Sequence, residues 1–200
     1  MKLLRDATRG GFTVLEVLIA FTLVVILLFN TSQLIGTASK AGDHNTLQQE
    51  LDLLADQTID RIALALMAAN EDRTLPLNSA PFNDSQINYE SSLGVEDGKT
   101  VWSEPERISL DTEQMRVLWQ RNPEEANETL LVWGKYVSEF LLEELGGNDE
   151  DDNGNVLIDE NGLSFDIDRS SVRVNLTLVR TLDDGTVLTA STKTRVAFRN

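Results

Sequence analysis

The chain has 200 residues, which allows one domain with an appendage at about 150 residues per domain. It carries 33 acidic and 17 basic residues and no basic patch, so its formal net charge of −16 argues against direct binding of nucleic acid. Since the chain lacks cysteine and has the single histidine His44, it also lacks a disulfide framework, a thiolate metal site and a histidine metal cluster.

The N-terminal segment differs from the rest of the chain. Residues 12–29 contain fifteen apolar residues out of eighteen, and no Lys or Arg occurs between Arg9 and Lys40. A helix over this run is about 27 Å long, which matches one hydrocarbon core. Because Lys2, Arg5 and Arg9 precede the run, the positive-inside rule places the N-terminus in the cytoplasm and the remainder outside.

Two ordinary interpretations leave part of this segment unexplained. A secretory signal peptide has a shorter apolar region and a small-residue cleavage site, for which residues 36–42 are a poor match. A plain signal anchor fits the length and the charge, but it does not explain Glu16. A carboxylate inside a membrane helix costs about 2.5–3.5 kcal/mol on insertion scales, and the segment supplies no cation.

The run GGFTVLEVLIA, residues 10–20, resembles the N-terminal signature of type IV pilins and of the pseudopilins of type II secretion. The resemblance implies a leader, residues 1–11, that a prepilin peptidase removes after Gly11. It also implies N-methylation of Phe12 and a role for Glu16 in filament assembly, where its carboxylate neutralises the new ammonium group of a neighbouring subunit. An ion pair of this kind is strong in a low dielectric, and an unpaired member is penalised.

The remaining chain predicts an α+β fold. A transmembrane helix, residues 12–35, continues as an amphipathic helix to residue 70, whose apolar stripe is Leu47, Leu51, Leu54, Thr58, Ile62, Leu66 and Ala69. Residues 71–200 then form an extracytoplasmic globular domain. We expect a loop over 71–103 and strands near 107–110, 114–120, 129–133, 172–180, 186–190 and 194–198, so that the long helix packs on a mostly antiparallel sheet. This order resembles that of pseudopilins. The J-type minor pseudopilin in particular is resembled by Trp133-Gly134, by the later apolar strand before the hairpin and by the ending AFRN, residues 197–200.

An acidic loop, residues 148–162, contains the one motif that carries chemistry. Its core, residues 149–160, satisfies the EF-hand pattern D-x-[DN]-x-[DN]-G-x₅-E, and Gly154 allows the sharp turn. The pattern predicts a calcium site, because calcium takes six to eight oxygen ligands. The expected ligands are Asp149, Asp151, Asn153, Asn155 and Glu160. An acidic solvated turn and a site for another divalent ion remain as alternatives.

The sequence predicts a mechanical role and no catalysis. We expect a filament subunit, held in the inner membrane until it is assembled, whose partners are prepilin peptidase, other pilin-like subunits through the N-terminal helix, and exported substrates. Two alternatives from other classes stay open. One is a membrane-anchored calcium-binding module that never polymerises, and the other is an anchored hydrolase that uses a pair of carboxylates.

Overall fold

The computed structural model describes residues 13–76, 83–154, 157–168 and 170–198. The chain divides into two compact units, with the boundary between Thr46 and Leu47. One helix, α1, spans Val14–Met67, so it begins in the first unit and ends in the second. It continues without interruption through Gly36 and Gly42, the two weak points in its sequence.

The described residues of the first unit form the N-terminal part of α1, and their apolar side chains contact little else. Every large apolar residue from Val14 to Ile35 is exposed. In the described part of the chain α1 is the one helix that is long and apolar enough to cross a membrane, with a mean hydropathy of 2.4 over its most apolar window. A surface of this kind is suited to lipid or to partner helices, because apolar area gains free energy when it leaves water.

In its described residues, the second unit contains the rest of α1, a single 3-10 turn at Glu71–Arg73 and ten strands. The strands are β1 (Asn83–Asp84), β2 (Gln86–Tyr89), β3 (Ser92–Glu96), β4 (Lys99–Trp102), β5 (Glu106–Asp111), β6 (Arg116–Arg121), β7 (Thr129–Lys135), β8 (Leu163–Asp168), β9 (Ser171–Thr181) and β10 (Val187–Ala197). They form one sheet in the order β1-β8-β9-β10, a second in the order β2-β5-β6-β7, and a ribbon of β3 and β4, and every pairing is antiparallel. The predicted α+β class is confirmed.

The core lies between α1 and the apolar faces of the two larger sheets. The helix contributes one buried stripe, formed by Leu51, Ala55, Thr58, Ile59, Ile62 and Leu66. The period-2 alternation in β9 buries Val172, Val174, Leu176 and Leu178 on one face, as its sequence predicts. Gly134 in β7 allows a close approach of strand and helix, because a Cβ atom there would lie 2.8 Å from Thr58 Cγ2.

The structure differs from the sequence predictions in three places. The prediction of a loop over 71–103 is wrong, since the described part of that segment forms β1 to β4, and Ile87 and Tyr89 are fully buried. Strand β8 was not expected, because its sequence LSFDID carries two carboxylates. The two segments predicted at 186–190 and 194–198 form the single strand β10, which is paired with β9 along its whole length.

Candidate functional sites

The predicted processing site, Gly11 and Phe12, lies outside the described residues, and the description begins at Thr13. Thr13 and Glu16 form a reciprocal cap at the start of α1. The Thr13 backbone N–H donates to Glu16 Oε2 at 2.8 Å, and the Glu16 N–H donates to Thr13 Oγ1 at 3.2 Å. This is a capping box, in which each side chain satisfies a backbone donor that the first helical turn leaves unpaired.

The capping box gives Glu16 a partner within its own chain. The segment supplies no cation for Glu16, but the T-x-x-E spacing of residues 13–16 is itself a capping signal, which the sequence prediction above did not include. A hydrogen bond to the backbone is available to either Glu or Gln, whereas an ion pair needs the charge. The two roles of Glu16 can therefore be separated by a single substitution.

The acidic loop is organised by its own side chains. Asp159 Oδ1 accepts the Gly147 N–H at 2.8 Å, and its Oδ2 accepts the Asp149 N–H at 3.3 Å. Asp151 Oδ1 accepts the Gly154 N–H at 2.7 Å. These are the local side-chain to backbone bonds by which Asp and Asn favour turns, so part of the acidic composition has a structural reason.

Two buried carboxylates meet beneath this loop. Glu160 is fully buried and Glu144 is 7% exposed. The side-chain amide of Asn153 bridges them, because its Nδ2 donates to Glu144 Oε2 at 2.6 Å and to Glu160 Oε2 at 3.1 Å. Buried carboxylates need partners of this kind, since a charge in a low dielectric is costly unless it is paired or hydrogen-bonded.

Burial raises the pKa of the Glu144 carboxyl, and the nearby charges of Glu160 and Asp152 act in the same direction. The hydrogen bond from the Asp159 backbone N–H to Glu144 Oε1, at 3.2 Å, opposes this effect. A site of this kind favours either a proton or a cation, because both relieve the cost of a desolvated negative charge.

The predicted calcium ligands are therefore brought together only in part. Asn153 and Glu160 lie side by side, whereas Asp149 and Asp151 are exposed and Asn155 lies outside the described residues. Across 13–76, 83–154, 157–168 and 170–198, no three His, Asp or Glu side chains form a group suited to a metal ion. Sequence reasoning missed Glu144, which precedes the motif, and no signal in the motif identifies it. All these groups offer oxygen, which is the donor that calcium prefers.

A second buried polar cluster lies in the sheet that contains β5 and β6. The Tyr89 hydroxyl donates to Glu106 Oε2 at 2.6 Å, and Trp119 Nε1 lies 3.1 Å from both of these oxygens. Arg121 completes the cluster with a guanidinium 3.5 Å from Glu106 Oε1. Because each polar group has a partner, this cluster is a satisfied part of the core and offers no free group for chemistry.

Comparison with protein-family models, with curated proteins and with solved structures gave no match.

Proposed function

We propose that the chain is a pilin-like subunit that prepilin peptidase processes and that assembles into a filament of the type II secretion or type IV pilus kind, as a minor or tip component. The N-terminal part of α1 would lie in the inner membrane with a cytoplasmic N-terminus before assembly. It would pack against other pilin-like subunits afterwards. The globular unit would face the extracytoplasmic side, where it meets exported substrates.

The observation that carries this proposal is the single carboxylate, Glu16, in the first turn of an exposed apolar helix. The capping box explains how one chain tolerates Glu16, but it does not require a charge. An exposed apolar surface from Val14 to Ile35 must be covered by lipid or by protein. Removal of the leader would place an ammonium group four residues before Glu16, which is the counter-charge that a bundle of such helices would need.

Two substitutions of Glu16 separate the cap from the charge. Glu16→Gln keeps an acceptor for the Thr13 N–H and removes the charge, whereas Glu16→Leu removes both. Thr22→Val is the matched control, because among the described residues the Thr22 hydroxyl bonds only to the Leu18 carbonyl of its own helix, at 2.8 Å. Each variant is produced with the assembly machinery, and its incorporation into sheared filaments is compared with its amount in the membrane.

The proposal predicts that Glu16→Gln and Glu16→Leu are both absent from filaments, although both are present in the membrane, and that Thr22→Val is incorporated normally. Normal incorporation of Glu16→Gln would show that the cap alone is needed. That result would remove the electrostatic basis of the proposal.

We also infer that the acidic loop binds calcium as a structural ion. Glu144, Asn153 and Glu160 would hold it together with loop oxygens, and the positive charge of the ion would offset the cost of burying the two carboxylates. At a ligand concentration ten times Kd, binding stabilises the fold by about 1.4 kcal/mol, which corresponds to a rise in Tm of about 3–6 °C for a chain of this size. Extracellular sites with Kd values of about 10⁻⁴–10⁻³ M would be loaded outside the cytoplasm.

Thermal unfolding of the full chain in detergent micelles tests this inference, with calcium, magnesium or a chelator added. We expect calcium to raise Tm in the parent and in Glu139→Gln, which changes an exposed acid outside the loop. Glu160→Gln should lose this response, although its amide oxygen can still accept from Asn153. The same Tm with calcium and with chelator in the parent would contradict the inference.

A membrane-anchored calcium-binding module that never polymerises is the second candidate function, and the buried pair under Asn153 is the observation that favours it. This candidate predicts that calcium raises Tm. It also predicts that the parent and both variants at position 16 are present in the membrane and absent from filaments. The two experiments above therefore distinguish the candidates. We propose no catalytic activity for either.

A further inference from the structure

Strand β7 has an open edge over residues 129–132. It is the last strand in the order β2-β5-β6-β7, and its outer side pairs with no other strand among the described residues. At Trp133 this side is covered by α1, since the Thr58 hydroxyl donates to the Trp133 carbonyl at 3.3 Å. Over residues 129–132, in contrast, no backbone group bonds within the described chain outside the ladder with β6. The outward N–H and C=O groups of this open edge can therefore template a further strand.

The other outer edges of the two larger sheets are each protected. At β2, the N–H groups of Leu75 and Asn88 each donate to the other residue's carbonyl, at 2.8 and 2.9 Å. Strand β1 is two residues long, and β10 carries Lys193 and Arg195. Short strands, charged side chains and covering segments are devices by which proteins prevent edge-to-edge pairing. Over residues 129–132, β7 has no charged side chain and no covering segment in the described part of the chain.

An apolar row of the sheet ends at the open edge. The strand registers form this row from one core-facing position in each of β2, β5, β6 and β7, which are Ile87, Ile108, Trp119 and Leu131. Ile87 and Ile108 are fully buried and Trp119 is 8% exposed, whereas Leu131 is 50% exposed. The row therefore stops with an apolar side chain half in water. An apolar residue on an added strand would continue it.

The surroundings of the open edge favour a second copy of this chain as the added strand. Leu130 and Val132, on the other face of β7, are also exposed, so the edge fits a strand that is apolar on both faces, and β7 itself is such a strand. No acidic residue occurs from 129 to 138, although the chain has a net charge of −16. Glu128 precedes β7 and Lys135 ends it, so an antiparallel second copy places ends of opposite charge beside each other.

We propose that two copies of this chain associate through β7, whose open edges pair antiparallel about a two-fold axis, so that one sheet runs through both copies. In such a pairing one residue opposes its own counterpart. With Leu131 at that position, Leu130 opposes Val132 of the second copy, and apolar side chains meet on both faces. With Leu130 at that position, Leu131 would oppose Thr129 and Val132 would oppose Glu128. The register centred on Leu131 is therefore the one that extends the apolar row.

Disulfide cross-linking tests this register, because the chain contains no cysteine of its own. Leu131→Cys, Leu130→Cys and Leu64→Cys are each purified as the full chain in detergent micelles, from cells without prepilin peptidase, and oxidised. We expect Leu131→Cys to form at least about tenfold more linked dimer than Leu130→Cys. Directly opposed Cβ atoms lie about 4.5–5.5 Å apart and diagonal neighbours about 7–8 Å, and strain grows steeply outside disulfide geometry. Leu64→Cys, which changes an exposed residue of α1, measures random collision.

Sedimentation of the same micelles across protein concentration measures association without cysteine, at about 0.15 M salt, where repulsion beyond about 8 Å is screened. We expect the parent to form dimers. Leu131→Lys should raise the dimer Kd about tenfold or more, because two like charges replace an apolar contact, whereas Leu64→Lys should not. Monomeric parent, equal cross-linking at positions 130 and 131, or the parent Kd in Leu131→Lys would overturn the proposal. None of these outcomes depends on filament formation.

Discussion

Replacing Gly134 by alanine tests how closely β7 approaches α1. An added Cβ atom would lie 2.8 Å from Thr58 Cγ2, 2.9 Å from Thr58 Oγ1 and 3.3 Å from Val117 Cγ2, all shorter than an ordinary contact. Thr58 cannot rotate freely, because its hydroxyl donates to the Leu54 carbonyl at 2.7 Å. Overpacking of this kind destabilises the fold by about 1–3 kcal/mol. Replacing glycine by alanine offsets about 0.4–1 kcal/mol of this, because it reduces the conformational entropy of the unfolded chain.

We therefore expect Gly134→Ala to lower the free energy of unfolding by about 1–2 kcal/mol, or Tm by roughly 2–8 °C. The assay is thermal and urea unfolding of the full chain in micelles, followed by tryptophan fluorescence. Thr58→Ala removes both Thr58 atoms that would clash with the added Cβ. In the Gly134→Ala background, this substitution should therefore lower the free energy of unfolding by at least about 0.5–1 kcal/mol less than it does in the parent.

Gly42→Ala is the control for this cycle, because nothing lies within 4 Å of a Cβ atom at that helical position. We expect it to leave Tm unchanged or to raise it, since alanine favours helix more than glycine does. If the effects of Gly134→Ala and Thr58→Ala are additive within about 0.5 kcal/mol, the two residues are not in contact and the packing described above is wrong.

Three further predictions concern ionisable groups. Tyr89→Phe should lower the free energy of unfolding by about 1.5–3 kcal/mol, which is the contribution of a hydrogen bond to a charged group. Because burial and Glu106 raise the pKa of Tyr89, the parent should also lose stability as the pH rises above about 10, and the variant should lack this loss. Glu144→Gln should flatten the fall in stability that the calcium-free parent shows as pH rises above about 4.3, because burial raises the pKa of Glu144 and its charged form disfavours the fold. The Arg116 guanidinium, 2.7 Å from Asp111, lowers the pKa of that carboxyl, so Asp111→Asn should remove a loss of stability that the parent shows as pH falls below about 3.9. Urea unfolding across pH, with the parent as reference, measures all three, and profiles parallel to that of the parent would contradict them.

Much of the fold could be predicted from periodicity. The stripe that contains Leu51, Thr58 and Ile62 has the 3.6-residue period of a helix, and the alternation in β9 has the period of a half-buried strand. Strands β1 to β4 could not be predicted in this way. Two or three of the residues in each are polar or glycine, and their pairing depends on partners distant in sequence, such as β5 for β2 and β8 for β1.

The candidate sites were predictable only where a local motif defines them. The loop pattern placed Asn153 next to Glu160, because spacing within twelve residues is a local property. It could not identify Glu144, which reaches the same amide from before the motif. The polar face of β9 was visible in the alternation of Arg173, Asn175 and Thr177. Its burial was not, because it depends on tertiary contacts such as the hydrogen bond from the Leu142 N–H to Thr177 Oγ1.

The most direct test of the central claim is the intact mass of the protein isolated from membranes of cells that contain a prepilin peptidase. The account predicts a mass that lacks residues 1–11 and carries one added methyl group on Phe12. Cells without the peptidase should give the full-length mass. A full-length, unmodified chain in both preparations would contradict the proposal that this protein is a filament subunit.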